Sequence, residues 1–138
     1  MSERFVWKNK VYFGDTDAAG IVYHGRYVYW MEAARIDFLE YLGCPYTQFQ
    51  ERSIGFIPKS VQLDFEAPMT FSDQFSVEVS ITSLSRASID ILSIFKIDDQ
   101  IKAVGTVKLA CVNESKWKPM ALPEEFVRVV QPYIFPKT

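Results

Sequence analysis

Residues 27–43 read YVYWMEAARIDFLEYLG, and this stretch decides the fold. Apolar side chains recur in it at steps of three and four, which is the spacing of one face of a helix. The recurring residues are Tyr27, Met31, Ala34, Phe38 and Tyr41 or Leu42. Other apolar residues fill the positions between them, so we predict a largely buried helix. Gly43 and Pro45 are typical of its end.

On both sides of this helix the pattern changes to the period of two that is typical of strands. Residues 4–12 precede the helix, and four runs follow it at 56–66, 74–83, 88–96 and 101–112. A helix with so much apolar surface needs a sheet to cover it. We therefore predict an α+β fold, in which an antiparallel meander covers one long helix. Pro123 is expected to open a short terminal helix.

Composition limits the classes of protein that this chain can belong to. Its 138 residues suit one domain spanning 1–138, and the net charge of −2 lacks the basic excess of a nucleic-acid binder. Cys44 and Cys111 are far apart in sequence, so we expect neither a disulfide framework nor a zinc site of four ligands, and a cytoplasmic location. No window approaches the roughly 18 apolar residues of a membrane-spanning helix, so we expect no membrane insertion.

The loop before the helix, FGDTDAAGIVYH at residues 13–24, carries the chemistry. Asp17 can attack a carbonyl carbon or activate water, and unpaired N–H groups at a helix start can hold the oxyanion that develops. Residues 24–26 offer no Ser, Thr, Asp or Asn as a cap, which leaves those N–H groups for a ligand. Spacing alone leaves open whether Asp15 or Asp17 caps the helix instead. We interpret Asp15 as structural.

His24 is the single histidine of the chain. A Ser-His-Asp or Cys-His arrangement would have to use it, and no Gly-x-Ser-x-Gly elbow is present, so triad chemistry is disfavoured. Tyr23 and Tyr27 can line a pocket, although aromatic residues at helical spacing are also typical of a core. Gly20 is expected to serve the turn, either through a positive φ or through close approach of substrate.

Four stretches of the chain together resemble the hotdog-fold acyl-CoA thioesterases of the 4-hydroxybenzoyl-CoA thioesterase superfamily. The loop is similar to their pattern D-x-D-x-x-G-x-V-[YW] at residues 15–23, and the helix to their aromatic and Glu-Ala-x-Arg run at 27–35. Phe65-x-x-Pro68 with Asp73, and KPMALP at 118–123, have counterparts in relatives. GIVYH at 20–24 resembles the branch of small bacterial thioesterases that includes those linked to the Tol-Pal envelope system.

The resemblance implies a sheet wrapped around one helix and a mechanism for thioester hydrolysis. It makes Asp17 the nucleophile or the base for water, the backbone N–H of His24 the oxyanion donor, and the His24 side chain a group that orients water or substrate. A thiolate leaves readily because its conjugate acid has a pKa of about 8.5. Beyond CoA itself, no cofactor and no metal are expected. The residues expected to bind substrate are Gly20, Tyr23, Tyr27, Lys59, Ser60, Arg86 and Ser88, the last four through CoA.

The resemblance also implies a homodimer or a homotetramer built as a dimer of dimers, with the site at a subunit junction. Free sheet edges lead to the same expectation. A related subgroup uses a helix glutamate as its carboxylate, but we interpret Glu32 as the salt-bridge partner of Arg35. The acyl group is expected to be short or medium aliphatic, or aromatic. A hotdog module that binds acyl-CoA without hydrolysing it is the alternative.

Overall fold

The computed structural model describes residues 3–135. The strands are β1 (Phe5–Lys10), β2 (Ile54–Phe65), β3 (Gln74–Leu84), β4 (Ser88–Ile97), β5 (Gln100–Asn113) and β6 (Lys118–Pro119), and the helices are α1 (His24–Tyr41), α2 (Tyr46–Glu51) and α3 (Glu124–Val130). The predicted strands and the two predicted helices are present, with ends that move by up to three residues. Helix α2 was not predicted, because its six residues are too few for a periodic pattern to show.

The sheet is antiparallel and has the order β1-β3-β4-β5-β2, with β6 beside β5. The predicted simple meander is therefore wrong for one strand, since β2 crosses the sheet and pairs with β5 instead of β3. The physical reason lies in the connections. Two residues join β4 to β5 and three join β3 to β4, and both connections have the length of a hairpin loop. The eight residues 66–73 between β2 and β3 are long enough to cross from one edge of the sheet to another strand.

Helix α1 packs into the concave face of this curved sheet, which confirms the predicted α+β hotdog architecture. Its buried residues are Tyr27, Trp30, Met31, Ala34, Phe38 and Leu39. Below them Ser93 of β4 faces Gly105 of β5. A Cβ atom on Gly105 would lie 2.7 Å from Met31 Sδ, so an alanine there would force the Met31 side chain to shift.

One side of α1 stays in contact with solvent, contrary to the prediction of a largely buried helix. Val28 is 43% exposed and Tyr29 56% exposed, and Tyr41 at the last turn is 65% exposed. Val28 and Tyr29 face away from the concave sheet, because a single sheet covers one side of a helix, whereas the Tyr41 ring lies 5.2 Å from that of Phe5 on β1. The chain turns at Gly43 with φ of 82°, as the stop signal predicted. In residues 3–135 no helix has both the length and the apolarity needed to cross a membrane.

Candidate active site

The loop that precedes α1 is fixed by Asp15. Its Oδ2 accepts the Tyr12 N–H at 2.8 Å, its Oδ1 lies 3.1 Å from Arg26 Nε, and its backbone oxygen accepts the Tyr23 N–H at 2.9 Å. The loop is held from the other side as well, since Val22 donates to the Met69 carbonyl at 2.9 Å. Asp15 is thus structural in this geometry, as interpreted from the sequence.

Asp17 sits in a tight turn that leaves one of its carboxylate oxygens free of described donors. Its Oδ1 accepts the Ala19 N–H at 2.9 Å, and its backbone oxygen accepts the Gly20 N–H at 2.9 Å. Gly20 has φ of 80°, and a Cβ atom added to it would meet nothing within 4 Å apart from its chain neighbours. Of the two expectations for Gly20, the positive φ is confirmed, and the close approach of substrate stays a prediction.

The first turn of α1 has no side-chain cap. Tyr23 occupies the N-cap position in an extended conformation, with φ of −63° and ψ of 133°, and its side chain makes no cap hydrogen bond. The Arg26 N–H bonds to the Tyr23 carbonyl at 2.9 Å. Among residues 3–135, no acceptor lies within hydrogen-bond distance of the His24 and Gly25 N–H groups. Neither Asp15 nor Asp17 caps the helix, so the capping alternative is wrong.

These two features face one open cleft of about 370 Å³. The residues that line it are Asp17, Ile21, Val22, His24, Tyr27, Phe65, Glu66, Ala67 and Pro68. A carboxylate therefore shares a cleft with a helix start whose partial positive charge favours an anion. The structure brings together Asp17, His24 and Tyr27 of the predicted site residues.

The aromatic residues near the cleft divide between two positions. Tyr27 is buried, its ring lies edge-on to Phe65 and Phe95 at 5.1 Å each, and burial raises the pKa of its hydroxyl. It is thus a core residue that also reaches the cleft. Tyr23 is half exposed, does not line the cleft, and contacts the His24 ring at 4.5 Å.

The residues predicted to bind CoA lie in two different places. Lys59 and Ser60 line a second groove, of about 350 Å³, between β2 and the exposed side of α1. Lys59 stands at a β-bulge of β2, where the pairing with β5 passes from Pro58 directly to Ser60. At a bulge the extra residue is unpaired, so the Lys59 side chain departs from the alternation of side chains between the two faces of the sheet.

Arg86 lies in the turn between β3 and β4, and Ser88 is the first residue of β4. The Arg86 carbonyl accepts the Leu122 N–H at 2.8 Å, and the Ser88 hydroxyl lies 2.6 Å from that of Ser85. Neither residue lines the Asp17 cleft or the Lys59 groove of the same chain.

Glu32 lies outside the cleft and faces Arg35, with Oε1 and Nη2 separated by 3.9 Å. This is the predicted ion pair, although the distance is too long for a hydrogen bond. The described residues contain no group of three or more His, Cys, Asp or Glu side chains placed to hold a metal ion.

Sequence reasoning missed two parts of the site. The wall formed by residues 65–68 comprises the last residue of β2 and the first three of the connection after it, and Phe65-x-x-Pro68 was a motif without a predicted position in the site. Arg26, which holds Asp15, gave no signal at all, because an ion pair between a loop and a helix 11 residues further along depends on the tertiary fold.

The chain is similar to known proteins in both sequence and fold. Residues 11–130 match the thioesterase-like superfamily. The acyl-CoA thioesterase YbgC of Haemophilus influenzae is 33% identical over 122 residues, which cover 88% of this chain and 90% of that protein. The solved structure of a gentisyl-coenzyme A thioesterase is 31% identical, covers 91% of this chain and 99% of its own, and has a TM-score of 0.84. The solved structure of a hypothetical protein from Aquifex aeolicus is 28% identical, covers 92% of this chain and 99% of its own, and has a TM-score of 0.88.

Proposed function

Because the chain belongs to the thioesterase-like superfamily, we propose that it hydrolyses acyl-CoA thioesters to a free acid and CoA. The observation that carries this proposal is the cleft shared by the Asp17 carboxylate and the uncapped start of α1. Relatives named as acyl-CoA and gentisyl-coenzyme A thioesterases support the reaction class. The acyl group is short or medium aliphatic, or aromatic, and the enzyme works in the cytoplasm, where the buried free thiols Cys44 and Cys111 stay reduced.

In the proposed mechanism, the thioester carbonyl oxygen accepts the backbone N–H of His24. As the carbonyl carbon becomes tetrahedral, negative charge grows on that oxygen, and the helix start stabilises it. Asp17 either attacks the carbon, which forms a mixed anhydride that water then hydrolyses, or takes a proton from the attacking water. In both cases the thiolate of CoA leaves without strong acid assistance. The His24 imidazole, on the same side of the cleft, orients the water or the thioester.

A panel of acyl-CoA substrates assayed by thiol release tests the proposal. Asp17→Asn keeps the size of the side chain but removes its charge, and we expect kcat to fall by about 10²- to 10⁴-fold. Asp99→Asn, the same chemical change in the exposed turn between β4 and β5, is the matched control and should keep full activity.

Two results would contradict the assignment. If Asp17→Asn kept its turnover while Glu32→Gln lost it, the helix glutamate would be the catalytic carboxylate. If the wild-type protein bound non-hydrolysable CoA thioethers but cleaved none of the thioesters, the binding module would be the correct function.

The assembly that we propose is a homodimer or a homotetramer that pairs through β2. This strand lies at the edge of the sheet, and its outward half exposes 49% of Val61 and 51% of Phe65, next to the exposed Val28 and Tyr29 of α1. Antiparallel pairing of two β2 strands about residue 63 would place Ser60 of one copy opposite residue 66 of the other. The Lys59 groove of one subunit would then continue into the Asp17 cleft of its partner, so that residues of both chains would contact one acyl-CoA.

The oligomer is tested with Val61→Lys, which puts a charge on this edge. We expect a monomer in sedimentation, with activity lost because each cleft lacks its second subunit. A fully active monomer would refute the shared site.

A further inference from the structure

Arg35 is a nearly buried cation without a close partner. Only 13% of its side chain is exposed, and its ion pair with Glu32 spans 3.9 Å. A guanidinium has five N–H donors, and within residues 3–135 none of those on Arg35 has an acceptor at hydrogen-bond distance. Burial lowers the pKa of Arg35, an effect that Glu32 and Tyr46 oppose. The groove beside Arg35 gives a ligand access to these donors, and a ligand acceptor there would replace water as their partner.

Arg35 stands between two cavities. The groove along Lys59 and Ser60 lies on one side, and on the other is a partly enclosed cavity of about 130 Å³ between α1 and the sheet. The two share Glu32, Arg35 and Pro58, which we call the neck. Past the neck the inner cavity is apolar and is lined by Phe38, Leu39, Ile89, Ile91, Leu109 and Phe126. A dry apolar cavity of about 150 Å³ can hold benzene, so this one suits a segment of four or five carbons.

Tyr46 adds a second donor beside the neck. Its hydroxyl oxygen accepts the Phe56 N–H at 3.1 Å, which leaves the hydroxyl proton to be donated, and the side chain lines the inner cavity. Arg35 and Glu32 together are electrically neutral. A ligand carboxylate would lie beside the Glu32 carboxylate, which repels it, whereas a hydroxyl or keto oxygen adds an acceptor without a charge.

We propose that the neck selects acyl groups that carry a neutral oxygen part-way along and an apolar end beyond it. The oxygen accepts an N–H from Arg35, and the apolar end fills the inner cavity. This inference rests on the proposed function and names the substrate class of the same site. Unsubstituted acyl chains would pass the neck but would leave the Arg35 donors unmatched.

The test compares octanoyl-CoA with octanoyl-CoA isomers hydroxylated at different carbons and with the dicarboxylate thioester adipoyl-CoA. A hydrogen bond to a charged group corresponds to about a 10- to 150-fold gain, and we expect the best hydroxylated isomer to exceed octanoyl-CoA in kcat/KM by that factor. Arg35→Met keeps an unbranched apolar stem and removes the donors, so the ratio should fall to about one while octanoyl-CoA is still cleaved. Arg4→Met, on the surface beside Glu78, is the matched control and should keep the wild-type ratio.

Equilibrium binding of the corresponding CoA thioethers, which cannot be hydrolysed, separates this inference from the proposed function. A preference for the hydroxylated thioether that Arg35→Met abolishes, without cleavage of any thioester, would support the neck and overturn the hydrolase. Three results would overturn the proposed selection at the neck. They are equal rates of cleavage for all octanoyl substrates, a kcat/KM ratio of hydroxylated to unsubstituted substrate that Arg35→Met leaves unchanged, and a preference for adipoyl-CoA. Failure to bind any CoA derivative would overturn both.

Discussion

Gly20 controls the turn that presents Asp17, and its replacement by alanine has a cost that the geometry isolates. Its φ of 80° lies in the left-handed region, yet a Cβ atom there would meet nothing within 4 Å. The penalty is therefore conformational and not steric, and for an L-residue it is about 1–2 kcal/mol. We expect Gly20→Ala to lower the free energy of unfolding by this amount.

Gly14, in the same loop, is the matched control. A Cβ atom on Gly14 would also meet nothing within 4 Å, but its φ lies outside the left-handed region. Alanine at such a position restricts the unfolded chain and adds about 0.4–1 kcal/mol of stability. The two substitutions are chemically identical, so their opposite signs would come from backbone conformation alone.

The measurement is urea unfolding followed by tryptophan fluorescence, with kcat/KM for the best thioester determined on the same preparations. Gly20→Ala should also lose activity, since its N–H bonds to the Asp17 carbonyl, and a 1 Å displacement of a catalytic group can cost about 100-fold. Gly14→Ala should keep its activity. Equal stability of the two variants, or a Gly20→Ala enzyme as active as the wild type, would show that this turn does not set the position of Asp17.

Three further substitutions probe the core, the loop and the thiols. Gly105→Ala should destabilise the protein by about 1–3 kcal/mol in urea unfolding through overpacking against Met31, and by less in a Met31→Ala background, where the space is free. Asp15→Asn removes the partly buried ion pair with Arg26, and this should lower the free energy of unfolding by at most about 1 kcal/mol. It should also lower kcat/KM, because the loop loses its fixed position. An unchanged kcat/KM would contradict the anchoring role of Asp15. Burial raises the pKa of Cys111 from 9.0 to about 11, so the folded state keeps this proton longer than the unfolded state. The stability that this provides is complete below pH 9 and is lost as pH rises through 11, and Cys111→Ala should flatten that part of a stability–pH curve.

Much of the fold could be predicted because its signals are local. The spacing of Tyr27, Met31, Ala34 and Phe38 predicted which face of α1 packs on the sheet, and alternation predicted the strands. The position of β2 could not be obtained in this way, because alternation shows that a segment is a strand but not which strand lies beside it. The length of the 66–73 connection was the available sign.

The candidate site also has a part that local sequence signals predict and a part that they do not. Asp17 and the start of α1 are neighbours in sequence, so their shared cleft could be expected from the loop alone. The wall at residues 65–68, the Arg26 contact with Asp15 and the burial of Arg35 all join segments that are distant in the chain. Such contacts follow from how the sheet curves around α1, and no local pattern encodes them.

The missing side-chain cap at the start of α1 exchanges stability of the protein for activity of the enzyme. A serine or aspartate at position 23, where Tyr23 already has the extended backbone of a cap residue, would add about 1 kcal/mol to the helix. The same side chain would compete with the thioester oxygen for the first amides. Selection for heat resistance alone would therefore drive this position toward a residue that slows the enzyme, and laboratory evolution of the protein should hold tyrosine at 23 only while activity is also selected.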